Sequence, residues 1–205
     1  MSDAATALSM PTLVGRRCTL RELRPGDAAS LSKHADDPAV ARNLFDGFPQ
    51  PYTLAEADEW CGGKWRSGGY VWGIEVDGRV VGCVGFEPAA GWLRCNAEIG
   101  YWIGRALWGR GIAAEALALA TDWAWANLPE LHRMTAGIFA WNDASQAVAR
   151  KAGYLLEARL PKSAFKNGEL IDRIVWACYR PEARPDEKQK TGGQRTGAAA
   201  PTIET

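Results

Sequence analysis

The sequence has very few histidines and no cysteine pair at the spacing of a metal site. His34 and His132 are the only imidazoles in 205 residues, so a histidine-based zinc centre or a Ser-His-Asp triad has little material. The five cysteines are odd in number, scattered, and never spaced as Cys-x-x-Cys. This pattern predicts reduced thiols and a protein that binds no metal.

The sequence also lacks a net charge and a long apolar segment. Lysine plus arginine number 24, as do aspartate plus glutamate, and no basic stripe interleaves with aromatics, so nucleic acid is not an expected partner. No apolar run approaches the roughly 20 residues that span a bilayer, and no signal pattern opens the chain. We therefore expect a cytoplasmic protein with no membrane partner.

Length and composition fit one globular domain. Hydrophobic residues make up 47% of the chain, which is enough for a proper core at this length. Residues 1–11 and 181–205 show no hydrophobic periodicity and bury too little to offset the entropy of ordering. We predict disordered tails at both ends of a single domain at 12–180.

Local signals predict a mixed α/β sheet. Thr53 and Glu56 form a capping-box pattern for a helix from about Leu54 to Trp65. Asp77-Gly78 is typical of the turn between two hairpin strands. The hairpin strands are expected at 70–76 and 80–86, the other strands at 18–23, 94–103, 133–139, 154–160 and 171–179, and the other helices from Pro25, after Pro38, at 111–126 and at 142–152.

One loop carries the clearest functional signal. The segment Trp108-Gly109-Arg110-Gly111-Ile112-Ala113, the glycine loop, lies between a predicted strand and a long predicted helix. Its glycines let the backbone curl, and the first helical N–H groups point outward at the positive end of the helix dipole, which suits a phosphate or pyrophosphate. A plain turn is the alternative. A dinucleotide fingerprint, Gly109-x-Gly111-x-x-Ala114, ranks lower, because the next strand carries no acidic residue for a ribose.

The glycine loop resembles the pyrophosphate loop of the GNAT superfamily of N-acetyltransferases, Gln/Arg-x-x-Gly-x-Gly/Ala, with Gly111-Ile112-Ala113 as its second half. Trp108 stands where Gln or Arg is usual, a form similar to the Rim-type branch, which acetylates protein N-termini and related amines. Asn142-Asp143-Ala144-Ser145 and the following 149–154 are similar to that branch's Asn-x-x-Ser and Lys-x-Gly-Phe signature.

The resemblance spans roughly 18–179 and implies a fold as well as a cofactor. The implied fold is a mixed, mostly antiparallel sheet of six to seven strands, flanked by helices, with splayed central parallel strands. The implied cofactor is acetyl-CoA, and its partner is an amine acceptor. The cofactor contacts implied in this way are Ile99, Tyr101, Trp102, Ile103, Trp108, Gly109, Arg110, Gly111, Ile112, Ala113 and Asn142.

Two residues are candidates for proton transfer. Glu98 could relay a proton from the amine, since a strand places it on the same face as Gly100; a solvated carboxylate or an ion pair is the alternative. Ser145 could protonate the departing thiolate, as the corresponding serine is thought to do in the Rim-type branch, or could simply cap a helix. The tyrosine of many family members is Ala149 here, and a glutamate of Rim-type relatives is missing near Ala164.

Aromatic residues near the N-terminal helices are the candidates for acceptor binding. Phe45, Tyr52 and Trp60, with acids nearby, would suit a cationic amine, although large aromatics more often belong to a core. Three functions stay open: acetylation of a peptide N-terminus, acetylation of a small amine such as an aminoglycoside-type antibiotic, and acyl-CoA sensing without catalysis. A homodimer is compatible with the family, but the sequence does not indicate one.

Overall fold

The computed structural model describes residues 10–64 and 69–181. Nearly all of the tails predicted at 1–11 and 181–205 lie outside these residues, as does the predicted helix end at Trp65. The domain boundaries therefore stay predictions.

The described chain contains both helices and strands. The helices are α1 (Ala28–Ala35), α2 (Pro38–Ala41), α3 (Leu54–Cys61), α4 (Ile112–Asn127) and α5 (Asp143–Lys151). The strands are β1 (Leu13–Val14), β2 (Thr19–Arg21), β3 (Tyr70–Val76), β4 (Arg79–Pro88), β5 (Asn96–Ile103), β6 (Arg133–Phe139), β7 (Leu155–Lys166) and β8 (Glu169–Tyr179).

The strands form one mixed sheet in the order β1-β2-β3-β4-β5-β6-β8-β7. Every neighbouring pair is antiparallel except β5 and β6, which α4 connects in parallel. The predicted α/β class and the mostly antiparallel order are confirmed. The sheet has eight strands instead of six to seven, because the two-residue β1, too short to give a periodic signal, adds an edge strand.

The two parallel strands stay together for a very short distance. They pair from Asn96 to Glu98 on β5 and from Arg133 to Thr135 on β6. Beyond Glu98, β5 remains paired with β4 as far as Ile103, and β6 remains paired with β8. The sheet therefore opens between β5 and β6, as the predicted splay requires.

Turn and cap chemistry sets the predicted boundaries. Asp77 and Gly78 have φ angles of 50° and 74°, the left-handed pair that a two-residue hairpin turn needs. The capping box before α3 is present, with the backbone N–H of Thr53 donating to Glu56 Oε2 at 2.7 Å and the backbone N–H of Glu56 donating to Thr53 Oγ1 at 3.3 Å. The helix α3 ends at Cys61, earlier than predicted.

Both faces of the sheet are packed. On one face, the Trp72 ring packs edge-on against the Trp123 ring of α4, with 5.1 Å between the ring centroids, within the larger cluster of buried side chains. On the other, Leu31 and Ala57 of α1 and α3 pack with Cys83 of β4. Within the described chain, no helix has the length and apolar character needed to cross a membrane.

A buried ion cluster ties the first helix to the sheet. Arg21 on β2 is 9% exposed and donates to both carboxylate oxygens of Asp27 at 2.8 Å, while its Nε donates to Glu75 on β3. Asp27 precedes α1 and also accepts the backbone N–H of Arg24 at 2.8 Å. Burial opposes the charge on Asp27, but these bonds outweigh it and lower the pKa of the carboxyl. The cluster thus depends on an ionised Asp27.

We expect Asp27→Asn to lower the free energy of unfolding at pH 7 by about 3 kcal/mol, because it leaves the buried Arg21 without its two-point partner. The pKa of Asp27 is lower in the folded than in the unfolded chain. The stabilisation is therefore complete above about pH 4, the unfolded pKa of an aspartate, and is lost as the pH falls through the folded value. Urea unfolding at pH 7 and pH 3 should show the difference between the two proteins shrinking in acid.

The matched control is Glu130→Gln, which removes an exposed carboxylate that accepts from Arg94 at 2.9 Å. Exposed ion pairs contribute little, so this variant should unfold like the wild type. Equal losses in both variants would contradict the assigned role of the Arg21 cluster.

Candidate active site

Two cavities meet where β5 and β6 separate. The loop cavity, about 300 Å³, lies between the glycine loop, β5 and α5. The aromatic cavity, about 610 Å³, lies on the face of the sheet that α1 and α3 cover. Leu44, Tyr101 and Trp102 line both cavities, so a molecule reaching through one would meet a molecule held in the other at this point.

The glycine loop has the backbone conformation that the sequence predicts. Gly109 and Gly111 have φ angles of 78° and 77°, in the left-handed region that favours glycine. Gly111 directly precedes α4, whose first-turn N–H groups have no partner within the helix. A side chain at Gly109 would meet no atom within 4 Å, so the loop is open on that side. These features fit a pyrophosphate at the N-terminus of α4.

Trp108 shapes the loop from inside the cavity wall. Its indole Nε1 donates a hydrogen bond of 2.8 Å to the carbonyl oxygen of Ile103, the last residue of β5. The side chain is 42% exposed and lines the loop cavity. An indole at this position therefore fixes the distance between the strand end and the loop, and it supplies no charge.

Backbone N–H groups between β1 and β2 compensate the negative charge of an acidic residue in the first turn of α4. Glu115 accepts the backbone N–H groups of Arg16, Arg17 and Cys18 at 3.1, 2.6 and 3.1 Å. Burial would raise the pKa of Glu115, but these backbone bonds outweigh it and lower the pKa. Arg17 Nη1 also lies 3.6 Å from Glu115 Oε1. The carboxylate is thus compensated and opposes an anion at the glycine loop less than its position suggests.

Most predicted cofactor contacts come together, and two do not. Arg110 is exposed and is not among the lining residues, and the Ile99 side chain is 3% exposed within the core. The wall of the loop cavity contains the remaining predicted contacts, namely Tyr101, Trp102, Ile103, Trp108, Gly109, Gly111, Ile112, Ala113 and Asn142, together with Ser145.

The loop cavity also contains a cation that the sequence did not predict. Lys151, at the end of α5, lines the same wall as Gly111. Its position in the Lys-x-Gly-Phe signature was the available signal, but the signature alone gives no direction for the side chain. Val40, Asn43 and Leu44, in α2 and the segment after it, complete the wall and carry no motif that predicts it.

Asn142, Ser145 and Tyr101 form a connected group at the start of α5. Asn142 Oδ1 accepts the backbone N–H of Ser145 at 3.1 Å, so Asn142 is the helix cap and the Ser145 hydroxyl is not. The Tyr101 hydroxyl lies 2.9 Å from the Ser145 carbonyl oxygen, which can only accept, and 2.9 Å from Ser145 Oγ, where either hydroxyl can be the donor. Burial raises the pKa of Tyr101 to about 12, against the opposing effect of the Ser145 hydrogen bond.

The three predicted acceptor residues share the aromatic cavity. Phe45 is 66% exposed, Trp60 is half-buried, and Tyr52 is 6% exposed with its ring centroid 5.0 Å from that of Phe48. Tyr52 therefore also belongs to the core under α1 and α3, as the alternative interpretation of large aromatics holds.

Glycines form part of the cavity floor, and Glu98 stands beside them. Gly85 and Gly100 are direct partners on β4 and β5, and a side chain at Gly100 would meet nothing within 4 Å. Glu98 is exposed on the same face, with Oε1 4.0 Å from Arg173 Nη1. Both side chains lie over Gly137 on β6. Glu98 thus faces the cavity and has a distant ion-pair partner.

Acidic side chains outnumber basic ones around the aromatic cavity. Glu56, Glu87 and Glu98 line it, with Lys64 as the basic residue among the described lining. Glu87 and Glu98 are direct cross-strand partners. No group of three histidine, cysteine or acidic residues in the described chain could hold a metal ion. The wall is therefore suited to a cation with apolar parts.

The tip of the last hairpin is fastened to the loop that carries Phe45. Asp46 accepts the backbone N–H of Asn167 at 3.1 Å and pairs with Lys166 Nζ at 3.1 Å. The Lys166 side chain is 10% exposed. The contact between Asp46 and Asn167 joins residues 121 positions apart, and together with the ion pair it holds β7 and β8 close to one wall of the aromatic cavity.

Comparison with known proteins gives one consistent result. Residues 17–155 match the family described as "Acetyltransferase (GNAT) domain". The Bacillus subtilis (strain 168) protein named "Uncharacterized N-acetyltransferase YoaA" is 32% identical over 177 residues, covering 83% of this chain and 98% of that protein. "Probable N-acetyltransferase YjcK" of the same organism is 37% identical over 107 residues, covering 52% of this chain and 58% of that protein. The solved structure "Mycobacterium smegmatis RimJ in complex with CoA-disulfide" has a TM-score of 0.70 at 26% identity, covering 82% of this chain and 84% of that chain.

We expect Asn142→Ala to lower the free energy of unfolding by about 1 kcal/mol, because it removes the side-chain cap of α5. Asn142→Asp keeps an oxygen acceptor at the same place and should retain most of the stability. Urea unfolding of the two variants beside the wild type measures the difference. A loss of the same size in both would mean that the Ser145 N–H does not depend on this cap.

Proposed function

The chain belongs to the GNAT acetyltransferase family, and from that premise we propose that it transfers an acetyl group from acetyl-CoA to a primary amine by direct attack. The proposed acceptor is the α-amino group of a protein or peptide, or a small amine. The observation that carries the proposal is the junction of the two cavities at Tyr101 and Trp102, in the opening between β5 and β6. A thioester in the loop cavity and an amine in the aromatic cavity would meet there.

The proposed cofactor site runs from the glycine loop to α5. The N–H groups that follow Gly111 bind the pyrophosphate, and Lys151 adds a positive charge to the same wall. The edge of β5 from Ile99 to Ile103, which β6 leaves unpaired, binds the pantetheine amides as an added strand would. Asn142 borders the same arm.

Acetyl-CoA supplies a thioester carbonyl that a neutral amine can attack. Backbone N–H groups on the open edge of β5 donate to the carbonyl oxygen as negative charge develops on it. Glu98, directly or through a water, takes the proton that leaves the amine nitrogen. Ser145 donates its hydroxyl proton to the sulfur as the carbon–sulfur bond breaks, and the proton released by the amine replaces it through solvent.

The acceptor class follows from charge and from proton affinity. The acids around the aromatic cavity favour a cationic molecule, and its rings provide apolar contact. An α-amino group with a pKa near 7.7–8.0 is roughly one-tenth neutral at pH 7, whereas the neutral fraction of a lysine with a pKa near 10.4 is very small. One exposed carboxylate is therefore a sufficient base for an α-amino acceptor. The similarity to RimJ supports the Rim-type branch, and the comparisons favour neither the antibiotic-type enzyme nor the sensor.

Thiol release from acetyl-CoA tests the proposal directly. The assay uses a panel of N-terminal peptides, polyamines, aminoglycosides and amino acids, beside calorimetric titration with acetyl-CoA. We expect turnover with α-amino acceptors. Tight binding without turnover on any acceptor would support a sensor, and no binding would overturn the proposal.

Gly111→Trp should abolish acetyl-CoA binding, because the new side chain would strain a φ of 77° and crowd the Arg17 side chain, whose Nε would lie 3.3 Å from the added Cβ, so the turn that leads into α4 must shift. Calorimetry measures the affinity, and circular dichroism shows whether the variant folds. Gly26→Trp is the control, since a side chain there meets nothing within 4 Å.

Lys151→Gln, which puts no strain on the backbone, should weaken acetyl-CoA binding by about fivefold, or roughly 1 kcal/mol. Wild-type affinity in both site variants would remove the loop from the cofactor site.

Glu98→Gln should slow turnover at pH 7 by about a hundredfold, the size of a general-base contribution. We expect the loss to shrink as the pH rises above the pKa of the acceptor, near 7.7–8.0 for an α-amino group, because solution then supplies neutral amine. Rates at saturating acetyl-CoA from pH 6 to pH 9.5 measure this. Glu87→Gln alters the cross-strand neighbour on the same wall and should keep the wild-type profile. A Glu98→Gln loss that stays constant across this range would remove Glu98 from the mechanism.

A further inference from the structure

We propose that Tyr101 is a positioning residue that orients the Ser145 hydroxyl toward the sulfur of the bound thioester. The inference rests on the proposed function and adds a residue to it. Neither the sequence signature nor the family pattern quoted above assigns a role to the Tyr101 hydroxyl, which lies 44 positions from Ser145 in the chain.

The geometry leaves the Tyr101 proton two acceptors. The hydroxyl lies 2.9 Å from the Ser145 carbonyl oxygen, which can only accept, and 2.9 Å from Ser145 Oγ, which can accept or donate. A phenol has one proton and can give it to one of the two at a time. When Tyr101 donates to Oγ, the Ser145 proton cannot point back at Tyr101 and must take another direction.

The loop cavity offers an open direction for the Ser145 proton. Ser145 and Tyr101 both line that cavity beside Asn142. The backbone of Ser145 cannot turn away, because its N–H is held by Asn142 Oδ1 at 3.1 Å. Tyr101 therefore acts on a hydroxyl whose attachment is already fixed, and its bond selects the rotamer and the proton direction.

Tyr101 keeps its own proton during the reaction. Burial raises the pKa of its phenol to about 12, so the hydroxyl stays a donor across the neutral range. In the transfer step the nitrogen–carbon bond forms and the carbon–sulfur bond breaks. The Ser145 proton goes to sulfur, and the proton that leaves the amine nitrogen returns to Ser145 through solvent. Tyr101 gains and loses nothing, which is why it positions and does not catalyse.

The chain offers a matched tyrosine for comparison. Tyr154 is 1% exposed, and its hydroxyl lies 2.8 Å from Thr121 Oγ1, so it makes the same kind of hydroxyl pair inside the core. It lines neither described cavity. Tyr154→Phe removes a buried phenol hydroxyl without touching the proposed reaction.

A double-mutant cycle on Tyr101→Phe and Ser145→Ala in the full chain tests the inference. With an acceptor that the wild type uses, Ser145→Ala should lower kcat by about a hundredfold, the size of a general-acid contribution. Tyr101→Phe should lower it by about fivefold to tenfold, the effect of one hydrogen bond, and the double variant should lose no more than Ser145→Ala alone. The Kd of acetyl-CoA, from calorimetry, should stay within about twofold of wild type. Tyr154→Phe should keep the wild-type kcat while lowering the urea midpoint.

A second readout uses the protein without acetyl-CoA. Because both single variants remove the same hydroxyl contact, their shifts of the urea midpoint should also combine non-additively. Losses in kcat that multiply, an unchanged kcat in Tyr101→Phe, or a fall in acetyl-CoA affinity that matches the fall in kcat would each overturn the role of Tyr101. A wild type without turnover on any acceptor would instead overturn the proposed function, and the inference with it.

Discussion

The early end of the parallel pairing between β5 and β6 is the constraint on which the rest of the site depends. The strands pair as far as Glu98 and Thr135 and then follow different neighbours. The closed end is pinned by Arg133, which donates to Asn96 at 2.9 Å and to Glu157 on β7. Backbone groups on the open edge of β5 need partners, so the opening is suited to a ligand with its own amides.

Elements that are far apart in sequence supply the walls of this opening. The glycine loop closes one end because Trp108 is bonded to the last carbonyl of β5, and α5 contributes Ser145 and Lys151 from the other side. Gly85 and Gly100 leave the opposite face open for a second molecule. Tyr101 lies at the boundary between the two cavities and contacts Ser145. One side chain therefore connects the surface that would bind the cofactor with the proposed proton donor.

Local signals predicted the parts of this structure that local chemistry decides. The Asp77-Gly78 turn, the Thr53 capping box and the left-handed Gly111 each require particular residues whatever surrounds them. The end of α3 at Cys61, the direction of Lys151 and the contact between Tyr101 and Ser145 depend on packing between distant segments, for which one sequence has no periodic signal. Trp108 shows the same limit, since a motif identified its position but not its bond to Ile103.

Amide hydrogen exchange with and without coenzyme A tests the central claim, which is that the cofactor lies in the opening between β5 and β6. We expect binding to slow exchange at the N–H groups of 99–103 and 109–114, while β3 and α3 exchange as before. Unchanged exchange on β5 despite measured binding, or protection confined to the walls of the aromatic cavity, would contradict it.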